Sequence, residues 1–166
     1  RQLEEVTFRR TVIPVQELLD AAGKYFKKLM KNRPERIELE IESMEAKVIG
    51  DVNQLRFLLE NLIDEALTVR EDGVIRLQAR KDNEYIRFLF TDTRREKSVE
   101  ELNQLFYPNL ARMTSGEKGE LRGTEYLVCK QIIRDHDEFA GRRGCRINAE
   151  PAEGGGFTVY FTIPRR

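Results

Sequence analysis

The sequence predicts an α+β fold: a two-layer α/β sandwich with helices packed on one face of a mixed, mostly antiparallel sheet. Three observations carry this. Two long stretches place apolar residues at helical spacing, around Val15–Met30 and Val52–Ala66. Two runs of strict alternation, at 75–79 and 86–90, flank a polar turn. Two further strand patterns close the chain around Gly154-Gly155-Gly156. Helices and a hairpin-rich sheet in one chain bury their apolar faces against each other as two layers.

Taken in order, Leu18, Leu19, Ala22, Tyr25, Phe26, Leu29 and Met30 form one apolar stripe, with Pro14 at the helix start and Asn32 to Pro34 at its stop. Ile37, Leu39 and Ile41 alternate with Glu38, Glu40 and Glu42, the period of a strand with a solvated face. Val48 and Ile49 make a shorter strand. Asp51 is an N-cap for a helix built on Val52, Leu55, Leu58, Leu59, Leu62, Ile63 and Ala66, which ends before Asp72-Gly73. Ile75, Leu77 and Ala79, then Ile86, Phe88 and Phe90, form an antiparallel hairpin around Lys81–Glu84. From Thr93 to Arg122 the chain is polar and reads as an irregular lid-like loop, with an apolar patch at Leu102, Leu105, Phe106 and Leu110. Tyr126, Leu127, Lys130 and Ile133 mark another helix, and strands follow at 146–150 and 157–163.

The 166 residues, 40% of them hydrophobic, suit a single domain over residues 1–166. Lys plus Arg and Asp plus Glu each number 29, so no global field directs the chain to nucleic acid or an anionic membrane. No apolar run approaches the roughly 20 residues of a membrane span, and the expectation is a cytoplasmic domain. The opening at Arg1 suggests a fragment or processed chain whose preceding part could hold a membrane span, which leaves the location of the parent open. Cys129 and Cys145 stand outside any C-x-x-C pair in a chain with one His, which argues for buried free thiols and against structural zinc.

The order of elements resembles the catalytic and ATP-binding domain of sensor histidine kinases, a branch of the fold shared with gyrase B, Hsp90 and MutL. The likeness runs from about Phe8 to Pro164 and rests on three anchors. Asp51-Val52-Asn53-Gln54-Leu55 through Asn61-Leu62-Ile63-Asp64-Glu65-Ala66 resembles the family's N box. Phe90-Thr91-Asp92-Thr93 is similar to the V-x-D-x-G strand end. The tail, Lys130 to His136 followed by Ile147–Pro151 and Gly156–Pro164, is the third.

The resemblance implies that Asp92 accepts the adenine amino group, that Asn61 and Glu65 are the magnesium pair, and that Asn61 is the candidate catalytic residue. Asn61, Asp92, Arg122 and Gly123 are then the cofactor-binding set, and His136 a structural histidine. Several positions depart from the family pattern. Glu65 replaces a magnesium-binding Asn. The family's basic residue falls on Thr68, which leaves Arg70 to substitute from a different face. Asp92-Thr93-Arg94-Arg95-Glu96 has lost both glycines of its box. Leu121-Arg122-Gly123-Thr124-Glu125-Tyr126 keeps one glycine and adds a carboxylate where phosphate charge should sit. Two unit charges 4 Å apart repel by about 4 kcal/mol at an effective dielectric near 20, on the order of a thousandfold in affinity. Binding of ATP and magnesium is therefore expected to be weak or absent. Arg94 either fills the adenine pocket or swings out with the lid, a choice the sequence leaves open.

Three functional readings follow from the resemblance. The first is a pseudokinase domain of a two-component sensor protein, acting through conformational or protein contacts with other sensor domains and a response regulator. The second is an active ATP- and magnesium-dependent histidine kinase domain whose substrate His lies on a separate dimerisation helix. The third is an anti-sigma-type partner-switching module.

Overall fold

The structure, a computed structural model, describes residues 7–108 and 123–166. Eleven elements follow one another: β1 (Thr11–Pro14), α1 (Val15–Met30), β2 (Ile37–Ile41), β3 (Lys47–Gly50), α2 (Val52–Ala66), β4 (Gly73–Asp82), β5 (Tyr85–Asp92), α3 (Val99–Gln104), α4 (Glu125–Phe139), β6 (Ile147–Pro151) and β7 (Phe157–Pro164). Five strands form one sheet in the order β2-β4-β5-β7-β6. The β2–β4 pair is parallel and the others antiparallel. A parallel pair needs a long crossover, and α2 lies within the connection between β2 and β4.

Alternation along the strands sends Ile75, Leu77, Ala79, Ile86, Phe88, Phe90, Val159, Phe161 and Ile163 into the core. Phe88 stacks on its cross-strand partner Phe161 with ring centroids 4.8 Å apart. Helix α2 is the central helix. It contacts both α1 and α4 and buries Leu55, Leu58, Leu59, Leu62 and Ile63, each worth roughly 1.5–3 kcal/mol of transfer free energy. The outer face carries the acidic ladder, where Glu40 pairs with Arg76 and Glu42 with Arg80 at exposed positions. Such pairs add little stability.

Three features differ from the sequence reading. A strand precedes the first helix: β1 pairs antiparallel with β3 in a separate two-stranded sheet, which also places Pro14 one residue before the helix. The region after Thr93 is not irregular throughout, because Ser98 caps α3. Its hydroxyl accepts the Glu101 N–H while the Glu101 carboxylate accepts the Ser98 N–H, a complete capping box. The apolar patch is core: Leu102, Leu105 and Phe106 are buried, and Phe106 meets Tyr126 edge-on. Leu110 and the rest of the expected lid to Arg122 lie outside the described residues.

The expected structural role of His136 has a plain geometry. Fully buried on α4, its Nδ1–H donates to the Ile132 carbonyl, leaving Nε2 to accept the Asp51 N–H. Burial lowers its pKa from the ordinary 6.5, against the opposing pull of that carbonyl and of Asp51 and Asp135. Both cysteines are free and buried. Burial, then Asp137, pushes the Cys145 thiol up to about 12. Among the described residues no helix is long and apolar enough to cross a membrane.

Candidate functional site

Strand β5 ends at Asp92, between Ile75 of β4 and Phe157 of β7. The fit there is tight: Gly156 has φ +86°, and a Cβ on it would stand 2.1 Å from the Asp92 carbonyl oxygen. Thr93 then turns the chain. Its N–H and its hydroxyl both donate to the Val74 carbonyl, at 3.1 and 2.6 Å. Arg94 consequently folds back over Asp92, and its own N–H donates to Asp92 Oδ1 at 3.0 Å.

The Arg94 guanidinium is completely enclosed. Nε donates to Asp92 Oδ1 and Nη2 to Asp92 Oδ2, both at 2.9 Å, a two-pronged pairing. Nη2 also donates to the Ala66 carbonyl at 2.6 Å, and Nη1 to the carbonyls of Val69 and Glu71 at 2.9 Å each. A guanidinium has five N–H groups, and these five bonds use all of them. The Arg94 side chain is 1% exposed and that of Asp92 5%, so both ions are out of water and depend on each other. Ala66 is the last residue of α2, so Arg94 also places a cation at that helix's negative end. Gly73, at φ +144°, makes room, since a Cβ there would meet Arg94 Cγ at 2.5 Å.

Around this pair the other predicted residues take up their places. Asn61 is buried, with its Nδ2 donating to the Phe57 carbonyl one turn back at 2.8 Å. Glu65, one turn on, lines a cavity of about 50 Å³ together with Ala66, Val69, Phe90, Asp92 and Tyr126. Pockets that take drug-sized ligands run to roughly 300–1,000 Å³. Gly123, at φ +80°, precedes α4, and Glu125 sits in the first turn of that helix. Glu125 Oε1 is buried without a hydrogen-bond partner among the described residues. The Cys129 thiol is pushed up by burial first, then by the charge of Glu125 and more weakly by that of Glu65. Arg122 lies outside the described residues.

Of the basic groups nearby, Arg95 and Lys97 also line this cavity, and each has a partner of its own. Arg70 reaches Glu35, which Arg33 also engages, and the Thr68 hydroxyl donates to the Glu65 carbonyl. Arg95 pairs with Glu71 at 2.9 Å, and Lys97 lies over the Phe157 ring at 5.3 Å. No group of three or more metal-ligating side chains gathers among the described residues. The residues present do not fit an adenine in this geometry. The acceptor that would read its amino group already holds three Arg94 N–H groups, and the cavity beside it is only about 50 Å³. Side-chain motifs pointed to Asp92 and Arg94. They could not point to the Ala66, Val69 and Glu71 carbonyls, which any residue supplies.

Comparison with known proteins defines the class. Residues 50–166 match the model of the histidine kinase-, DNA gyrase B- and HSP90-like ATPase family, and the chain belongs to that family. Among solved structures, a nucleotide-free catalytic domain of the histidine kinase ThkA is 21% identical, with a TM-score of 0.72 covering 96% of this chain and 98% of that one. The mycobacterial sensor histidine kinase MprB is 18% identical, with a TM-score of 0.73 covering 95% and 99%. A structure of ThkA in complex with the response regulator TrrA aligns over 96% of this chain and 42% of that one, at 19% identity and a TM-score of 0.71. These likenesses show a shared fold. No curated protein matches the chain by sequence.

Proposed function

We propose that this chain is the kinase-like domain of a two-component sensor protein whose nucleotide site is closed by its own Arg94. On this reading it acts through conformational and protein contacts rather than phosphoryl transfer. The observation that carries it is the full use of the five Arg94 N–H groups by Asp92 and three carbonyls, at the position where the family reads adenine. A ligand would have to expel a guanidinium that is already desolvated and fully bonded, then leave that cation to find new partners. Glu65 lines the cavity beside Asp92 and Glu125 sits in the first turn of α4, the positions where the resemblance puts magnesium and phosphate, so their carboxylates would add repulsion.

The partners on this reading are other domains of the sensor and a response regulator, the kind of protein found with ThkA, and the domain works on the cytoplasmic side. Calorimetric titration of ATP, with and without magnesium, tests the closure. No binding heat and a melting temperature unmoved by millimolar magnesium-ATP are expected. A rise of many degrees would mean tight nucleotide binding and would overturn the reading. Opening the site takes three changes together, Arg94→Gly, Glu65→Asn and Glu125→Gly. That variant recovers magnesium-dependent binding, and adding Asp92→Ala removes it again.

A further inference from the structure

A second concave surface lies away from this site, between β1, the end of β7 and the turn after α4. It is a groove of about 390 Å³ with an apolar floor that includes Val12, Ile49 and Pro164 and a rim of Arg10, Arg142 and Arg166. Val12 is 41% exposed, and the neighbouring Phe139 on α4 is 49% exposed, so apolar surface stands uncovered on and beside the floor. Arg10 lies across the end of α4, where a Cβ on Gly141 would meet its Nη1 at 2.9 Å. The backbone N–H of Arg166 donates to the Lys47 carbonyl at 3.0 Å, and Arg142 pairs with Glu84. Among the described residues neither Arg10 nor Arg166 has an ion-pair partner. The chain as a whole is neutral, so this cationic rim is a local feature.

We propose that this groove docks an acidic peptide segment of a partner protein, one carrying aliphatic side chains between its carboxylates. The apolar floor takes the aliphatic groups. The guanidinium groups of Arg10 and Arg166 take the carboxylates, the planar fork matching a carboxylate better than an ammonium would. Apolar and basic side chains line the same hollow, which suits a peptide better than a flat membrane surface. This inference is independent of the reading of Arg94, since the two surfaces share no residue.

The test titrates a short fluorescein-labelled peptide of alternating Glu and Leu into the full chain and follows its anisotropy. Binding that weakens with ionic strength is expected, with amide shifts in nuclear magnetic resonance confined to β1, Ile49 and the residues after α4. The double variant Arg10→Glu with Arg166→Glu weakens binding about tenfold or more at unchanged melting temperature. The single variant Val12→Glu, which leaves the arginines in place, weakens it too. Three results would overturn the proposal. One is equal binding of a Lys/Leu peptide or none of the acidic one. Another is co-sedimentation with phosphatidylglycerol vesicles that the same variants abolish. The last is a dimer in light scattering that those variants dissolve, which would make the occupant a second copy of this chain.

Discussion

Helix α2 has a buried aspartate at each end, and the two are kept in different ways. Asp51, 5% exposed, sits at the N-terminal end and accepts N–H groups from Asn53, Gln54 and Arg9. Asp92, 4% exposed, sits beyond the C-terminal end and is held by a full positive charge. Burial is the same, so the difference lies in the partner. Backbone amides at a helix start are fixed dipoles that exist whenever the helix exists. A guanidinium is a second ion, here from two residues along the chain, and it loses its own water when it is buried. Asp51 is thus held mainly by the first turn of its own helix, with Arg9 added from 42 residues away, whereas Arg94, two residues from Asp92, ties that strand end to the carbonyls of Ala66, Val69 and Glu71.

The largest effect expected is on the ionic end. Arg94→Met strands a buried carboxylate and strips a donor from three carbonyls, and should cost about 3–5 kcal/mol in urea unfolding. Arg94→Met combined with Asp92→Leu removes both charges and should recover most of that loss. If the double variant is no more stable than the single one, the two ions are not mutually dependent and the contrast fails. At the other end, Asp51→Ala should cost about 1–2 kcal/mol, the ordinary range for a lost cap. A cost above that of Arg94→Met would invert the comparison.

A pH series sharpens the amide-held end, because His136 accepts the Asp51 N–H. Its folded pKa is depressed by burial, so between that value and 6.5 the unfolded chain binds more protons than the folded one. Stability is thus fully present above about pH 6.5 and declines as the pH falls below it, by at most about 1.4 kcal/mol per pH unit for one proton. Melting temperatures at pH 7.5 and 5.5 measure this, and His136→Gln should flatten the difference. The smallest expected effect is chemical. Cys129 and Cys145, both buried with raised pKa values, should resist alkylation at neutral pH until the chain is unfolded.

Much of the amide-held end was legible in the sequence. Asp51 precedes apolar residues at helical spacing, and a cap and the stripe that follows it are properties of adjacent residues. The Asp92 strand end and Asn61 were singled out differently, through their resemblance to the family's motifs. The rest depended on what the chain meets after folding. β1 is four residues of an ordinary apolar run until β3 pairs with it. The Ser98–Glu101 box was readable from its spacing, but the polar composition around it outweighed one short motif. Whether Arg94 lies inward or outward was undecidable, because Thr93 and the Val74 carbonyl set the turn, and the acceptors at Ala66, Val69 and Glu71 have no side-chain signature.

The Arg94–Asp92 pair also has a consequence for how this sequence can change over generations. Losing Arg94 alone leaves a buried anion, and losing Asp92 alone leaves a buried cation, so the first step out of the present arrangement passes through a less stable protein. Each residue is shielded from substitution by the other. An open pocket is thus separated from this one by a valley that no single substitution crosses without loss, and the pairing behaves as a ratchet.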